Sequence, residues 1–197
     1  MNRRLLPLLI AATLLFVAAA GWVTFEASRK SAGGAQGAFG SAFRLTTMNG
    51  EPITEAAFRQ KPSAIFFGFT HCPEICPTTL FELDGWLKKL GPEADGVNAY
   101  FVTVDPERDD AATLKAYVGN VSDRIVGVTG EPDKLAAMLK GYSVYARKVP
   151  VEGGDGYTMD HTASIYLLDS KGAFFGTIAY GENPDTAVEK LQRLAKS

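Results

Sequence analysis

Residues 64–69 (AIFFGF) form an unbroken apolar run, and a thiol pair follows at once in residues 71–77 (HCPEICP). A strand that is apolar at successive positions has no solvent face, so both of its faces must be covered. That places it in the middle of a sheet flanked by helices. Residues 99–104 (AYFVTV) repeat the pattern and predict a second buried strand. After the thiol pair, Leu80, Leu83, Leu87 and Leu90 recur at helical spacing, and Gly91-Pro92 predicts the stop. Proline follows each cysteine and biases it away from the helical region, so the helix is expected to begin at Pro77 with Cys76 near its cap.

The rest of the pattern alternates in the same way. Residues 43–47 and 51–53 flank Asn49-Gly50 and predict a β-hairpin. Residues 109–118 read as a helix with acidic residues at its start, and residues 132–139 as another. Strands are expected over 125–129, 144–149, 164–168 and 174–179, with a final helix from Asn183-Pro184 to about residue 195. Alternating strands and helices, then a late hairpin and a last helix, predict a three-layer α/β sandwich of thioredoxin-like form with an N-terminal β-hairpin. Sites in such sheets lie at the carboxyl ends of strands, where the CPEICP loop falls.

Arg3 and Arg4 precede a second apolar stretch, residues 5–23. At about 1.5 Å per residue it reaches across a bilayer core, with the arginines on the cytoplasmic side. Ala18-Ala19-Ala20 also fits a signal-peptide cleavage site. The expected organisation is an N-terminal transmembrane anchor (residues 1–24), a Gly/Ala/Ser-rich flexible linker (25–42) and one exported domain (43–197). No Arg/Ser-rich transit peptide precedes the run, which favours a bacterial inner-membrane protein, single-pass, with its C-terminal domain in the periplasm. The net charge of −2 gives no basic footprint for nucleic acid.

The chain has two cysteines and two histidines. A Cys72–Cys76 bridge would close almost no loop and add little stability, so a structural role for the pair is weak. A helix N-terminus beside the sulfurs is expected to lower their pKa. The C-x-x-x-C spacing is one residue wider than the C-x-x-C of thiol–disulfide oxidoreductases. Two thiolates select Cu(I) or zinc over hard cations, and copper accepts two sulfurs and one imidazole. His71, adjacent to Cys72, is awkwardly placed for shared ligation and reads as structural or supporting. His161 lies in YTMDHT, after a Gly-rich loop and before a strand. From the residues alone it is equally a ligand or an ordinary histidine. Asp160 is a candidate to orient it, although a solvated acid is the simpler reading, and Met159 reads as packing.

Four elements in order carry a resemblance: GFTHCPEICP at 68–77, VDPERD at 104–109, GVTG at 127–130, and DHT at 160–162 before YLLD at 166–169. In these the chain resembles the Sco/SenC family of copper chaperones for cytochrome c oxidase assembly. The resemblance implies a thioredoxin-like domain in which Cys72, Cys76 and His161 bind copper, as Cu(I) and also Cu(II). It implies delivery to the binuclear copper centre of oxidase subunit II, with other copper chaperones as further partners. The alternative it leaves open is that Cys72 and Cys76 act as a redox-active pair keeping that centre's cysteines reduced. It also places Asp105 near the site, while Arg108 reads as an ion-pair partner in a strand–helix turn. Asp110, Val128 and Ser170 depart from the usual Thr, Leu and Pro, and none is an implied ligand.

Overall fold

The computed structural model describes residues 21–22, 39–151, 153 and 156–197. Apart from Gly21 and Trp22, the expected membrane span lies outside these residues. No helix among the described residues is long and apolar enough to cross a membrane. Phe39–Ser197 forms one compact unit. Residues 39–42, assigned to the linker from sequence, are packed here: Gly40 N–H donates to the Gly141 carbonyl (3.0 Å) and the Phe39 ring lies 4.7 Å from Phe174.

Seven strands form one sheet in the order β2-β1-β5-β4-β3-β8-β9. They are β1 (Arg44–Thr47), β2 (Pro52–Thr54), β3 (Ser63–Gly68), β4 (Asn98–Thr103), β5 (Ile125–Thr129), β8 (Ser164–Leu168) and β9 (Phe174–Ala179). β3, β4 and β5 run parallel, Ser63 opposite Asn98 and Gly68 opposite Thr103, while β1, β8 and β9 pair antiparallel. Two further strands, β6 (Ala146–Pro150) and β7 (Tyr157–His161), form a separate ribbon. Every residue of β3 is buried, as the unbroken apolar run requires of a strand covered on both faces. The cover comes from α1 (Ile75–Leu90), α2 (Ala111–Gly119), α3 (Pro132–Gly141) and α4 (Pro184–Leu194). The predicted stripe is the buried face of α1: Leu80 and Leu83 are fully enclosed and Leu87 and Leu90 nearly so. Burying each contributes roughly 2 kcal/mol.

The hairpin forms at Asn49-Gly50, where Gly50 (φ 82°) takes the left-handed conformation that a Cβ would disfavour. α4 begins at Pro184, with the Asn183 side chain accepting from the amides of Asp185 and Thr186.

Four boundaries differ from the sequence expectation. α1 starts at Ile75 rather than Pro77, so Cys76 lies inside its first turn. Proline there breaks no helical hydrogen bond, and the pre-proline bias is overcome. α2 starts after Asp110, whose carboxylate accepts from the Thr113 amide (2.7 Å) as its N-cap. Asp109 is thus not a first-turn residue. β6 begins at Ala146, because Val144 turns into the core. His161 ends strand β7 rather than sitting in a loop.

Asp109 is fully buried. Its carboxylate accepts from the Thr70 amide (3.0 Å), the Thr70 hydroxyl (2.6 Å) and the Thr103 hydroxyl (2.6 Å), and its carbonyl accepts from the Thr129 hydroxyl (2.7 Å). One residue therefore ties the carboxyl ends of β3, β4 and β5. Replacing Asp109 with Ala strands three donors, the fully buried Thr103 hydroxyl and the part-buried Thr70 amide and hydroxyl, and should cost about 2–4 kcal/mol of stability in urea unfolding. A loss below the error of that measurement would show that the knot does not hold the strand ends.

Candidate metal centre

The site begins where β3 ends. The chain turns at Phe69–Cys72, with the Cys72 amide donating to the Phe69 carbonyl (3.3 Å), and enters α1 through Glu74. Cys72, before the helix, is half-buried; Cys76, in its first turn, is completely buried. Both are free thiols. The Cys76 amide donates to Cys72 Sγ (3.3 Å), so the sulfur takes a bond the helix N-terminus would otherwise leave open.

Cys76 Sγ lies over the backbone of Gly68. A Cβ there would stand 2.9 Å from the sulfur and 2.7 Å from Phe101 Cε2, so the last residue of β3 must be glycine. The glycine's use is close approach rather than an unusual backbone angle.

His161 reaches the sulfurs from β7. Its Nε2 lies 3.7 Å from Cys76 Sγ, and its Nδ1 lies 3.0 Å from the Thr162 carbonyl. That carbonyl only accepts, so it assigns the proton to Nδ1 and leaves the Nε2 lone pair facing the thiols. The ring packs edge-on to Phe69 with centroids 5.7 Å apart. Burial, the largest influence, lowers its pKa and favours the neutral, ligand-competent imidazole. The orienting partner is the Thr162 backbone rather than Asp160, which is exposed and sits opposite Arg147 in the ribbon register. Met159 packs against the core, as expected. His71 is exposed, with Nδ1 3.1 Å from the Thr70 hydroxyl and 3.9 Å from the Asp109 carboxylate. It does not belong to the cluster.

The thiol donors of Cys72 and Cys76 and the imidazole of His161 lie within 4.8 Å of one another. Among the described residues this is the one His/Cys/Asp/Glu group that could hold a metal ion. An ion bound to three donors at about 2.2 Å wants them about 3.8 Å apart, close to the Cys76–His161 separation. Two sulfurs and a neutral nitrogen suit a soft ion. A cavity of about 260 Å³ opens beside Cys72 and His161, rimmed by Phe69, Pro73, Ile75 and Met159.

One sequence expectation reverses. The helix N-terminus is next to Cys76, yet burial, the dominant effect, pushes its thiol pKa up. Desolvation outweighs the helix dipole because this sulfur has no solvent contact. The sequence reading also passed over Asp109 as a site-building residue. The available signal was the Asp109-Asp110 pair before α2, since only one of two successive acids can cap a helix.

An α/β sheet of this topology, with two thiols and an imidazole at the carboxyl end of a central strand, defines a thioredoxin-like protein with a soft-metal or redox site. Comparison with known proteins narrows the class. The family model described as SCO1/SenC matches residues 31–196, and the chain belongs to that family. It is 35% identical over 193 residues to the mitochondrial SCO2 homolog of Mus musculus, covering 92% of this chain and 76% of that one. Mitochondrial SCO1 of Saccharomyces cerevisiae is 36% identical over 160 residues, and the chain spans 54% of its length. Among solved structures, Bradyrhizobium japonicum ScoI with copper bound superposes with a TM-score of 0.73 at 46% identity, over 80% of this chain and 99% of that one. Yeast Sco1 with copper bound gives 0.74 at 36% identity, over 81% and 90%.

Gly68→Ala should force Cys76 Sγ away from its seat, costing about 1–3 kcal/mol of stability. A crystal structure of that variant with the sulfur unmoved and stability unchanged would remove the close-approach argument.

Proposed function

We propose that Cys72, Cys76 and His161 bind copper as a trigonal S₂N site, and that the protein delivers it to the binuclear copper centre of cytochrome c oxidase subunit II during assembly. The observation carrying this reading is the convergence of three soft or borderline donors within 4.8 Å. It is supported by family membership and by the copper bound in two of the similar structures. Cu(I) suits the site best, because two thiolates and an imidazole satisfy its low coordination number. The Phe69 and Phe66 rings beside His161 shield one side of the donor set. Cys72 is the partly exposed sulfur of the pair, so an incoming thiolate from a recipient would reach the metal on that side.

The same reading places residues 5–23 in the bacterial inner membrane as a single-pass anchor, with the domain in the periplasm near the oxidase and near other copper chaperones that would load it. A second reading, in which Cys72 and Cys76 form a disulfide while reducing partner cysteines, uses the same sulfurs. The half-exposed Cys72 would be its attacking thiol. The seating of His161 Nε2 against Cys76 favours the metal reading, since thiol exchange does not need the imidazole.

The test is copper binding by the whole protein, with His161→Ala beside it. Wild type should bind Cu(I) against a competing chelator. His161→Ala should lose about tenfold to a hundredfold in affinity. Equal binding by the two proteins refutes the three-donor site. Retained oxidase assembly in that variant would favour the thiol-exchange reading.

Binding should also depend on pH with a defined sign. Burial holds the proton on Cys76, and copper must displace it. Apparent Cu(I) affinity should therefore fall as pH falls, about tenfold per unit for each thiol proton released. His161 adds little to this slope near neutrality, because its pKa is already lowered. A flat affinity profile between about pH 8 and about pH 6, where thiol protons would have to be displaced, would exclude binding as a thiolate at Cys76.

A further inference from the structure

The two halves of the site stand on separate sheets. Cys72 lies in the loop between β3 and α1 and Cys76 in the first turn of α1, whereas His161 belongs to the β6–β7 ribbon, which shares no strand pairing with the main sheet. His161 is tied to the main sheet through Thr162 and Ala163, which lead into β8, so the orientation of the rest of the ribbon over the sulfurs depends on side-chain contacts.

The polar links to the ribbon come from the Asp105-Pro106-Glu107-Arg108 turn after β4. Arg108 Nη1 donates to the Tyr157 carbonyl (3.0 Å), and its guanidinium stacks 3.8 Å from the centre of the Tyr157 ring. Its Nε donates to the Asp105 carboxylate, which also accepts from the Tyr157 hydroxyl (2.8 Å). Glu107 pairs with Lys148 of β6 (2.5 Å), and Lys148 in turn lies 4.6 Å from the Tyr157 ring. Arg108 also lies 5.9 Å from the ring of Phe69, against which the His161 imidazole packs. The Arg108 side chain is only 24% exposed and the Asp105 side chain is fully buried, so the ionic part of this clasp is largely out of water. There, a charge-assisted bond is worth more than at the surface. Tyr157 and His161 are four residues apart on one strand, so their side chains lie on the same face of β7. Fixing the first fixes the second.

We propose that Arg108 is a positioning residue for the metal centre: by clasping Tyr157 it locks the β6–β7 ribbon so that His161 Nε2 faces the two sulfurs. The proposal rests on the three-donor reading above for its metal consequence, but its mechanical part stands on the metal-free protein. A lysine at 108 would keep the charge for Asp105 but could not also bond the Tyr157 carbonyl and stack on its ring.

The experiment uses the full chain in nanodiscs, as wild type, Arg108→Ala, Arg108→Lys, His161→Ala and the Arg108→Ala/His161→Ala double variant. Hydrogen exchange of the metal-free proteins reads the ribbon. Arg108→Ala should speed exchange of the β7 amides about tenfold or more, with β3 and β4 unchanged. Arg108→Lys should fall between it and wild type. Competition for Cu(I) reads the donor. Arg108→Ala should lose a large part of the affinity that His161→Ala loses, and the double variant should bind no worse than His161→Ala alone. Unchanged β7 exchange in Arg108→Ala overturns the proposal, and so do losses that simply multiply in the double variant. If Arg108→Ala loses protection in β3 and β4 as well, it has unfolded globally and Arg108→Lys carries the comparison. If His161→Ala binds copper as wild type does, the three-donor reading fails, and the exchange data still decide the clasp.

Discussion

The buried carboxylate of Asp109 is the interaction on which the rest of this structure depends. An ionised carboxyl enclosed by protein costs several kcal/mol unless its oxygens are matched by donors. Here the donors are Thr70, just past β3, and Thr103, at the end of β4, while Thr129, at the end of β5, bonds the same residue's carbonyl. These are the three strands whose parallel pairing makes the centre of the sheet. Their carboxyl ends would otherwise splay with sheet twist. The chain leaves Thr70 from a fixed point, and the cysteine loop starts two residues later. The cysteine loop is thereby built on strand ends that one buried residue ties together.

On the copper-delivery reading proposed above, stiffness alone would make a poor carrier, because cargo would have to leave. The structure divides the two requirements between the cysteines. Cys76 is sealed under Phe101 and Gly68, and burial raises the cost of ionising it without a metal. Cys72 stands half-open at the mouth of a cavity lined by Phe69, Ile75 and Met159 together with Glu74 and Asp160. Metal–thiolate bonding supplies the energy that the buried sulfur lacks when free, so the protonated resting state is favoured until a soft ion arrives. Exchange with an incoming ligand can then proceed at the exposed sulfur while the buried one retains hold.

Much of this was legible in the sequence. Continuous apolar runs marked β3 and β4 because a fully enclosed strand has no room for polar residues, and the leucine spacing marked the buried face of α1. The scarcity and position of the thiol pair argued against a structural staple, and left metal binding and thiol exchange both open. What escaped detection depended on contacts distant in the chain. Asp109 looks like any acid before a helix until Thr70, Thr103 and Thr129 are brought around it. The sign of the Cys76 pKa shift escaped because local sequence shows the helix terminus but not the desolvation. His161 could be paired with the cysteines only by resemblance, since 85 residues separate it from Cys76. The start of α1 was misplaced because pre-proline bias is a local preference, and the packing of Cys76 beneath β3 overrides it.

The wider spacing of the thiol pair has a structural consequence beyond ligand bite. Glu74 occupies the cap position of α1 but makes no side-chain cap. The amide of Cys76 donates instead to the sulfur of Cys72 four residues earlier. The wider spacing thus puts the first sulfur where an N-cap oxygen ordinarily accepts, and the second inside the helix it caps. On the proposed metal reading, coordination as a thiolate would put more negative charge on the Cys72 sulfur and strengthen that bond. Loss of charge weakens it. On the proposed metal reading, occupancy and the order of the first turn of α1 would be linked through this one N–H···S contact.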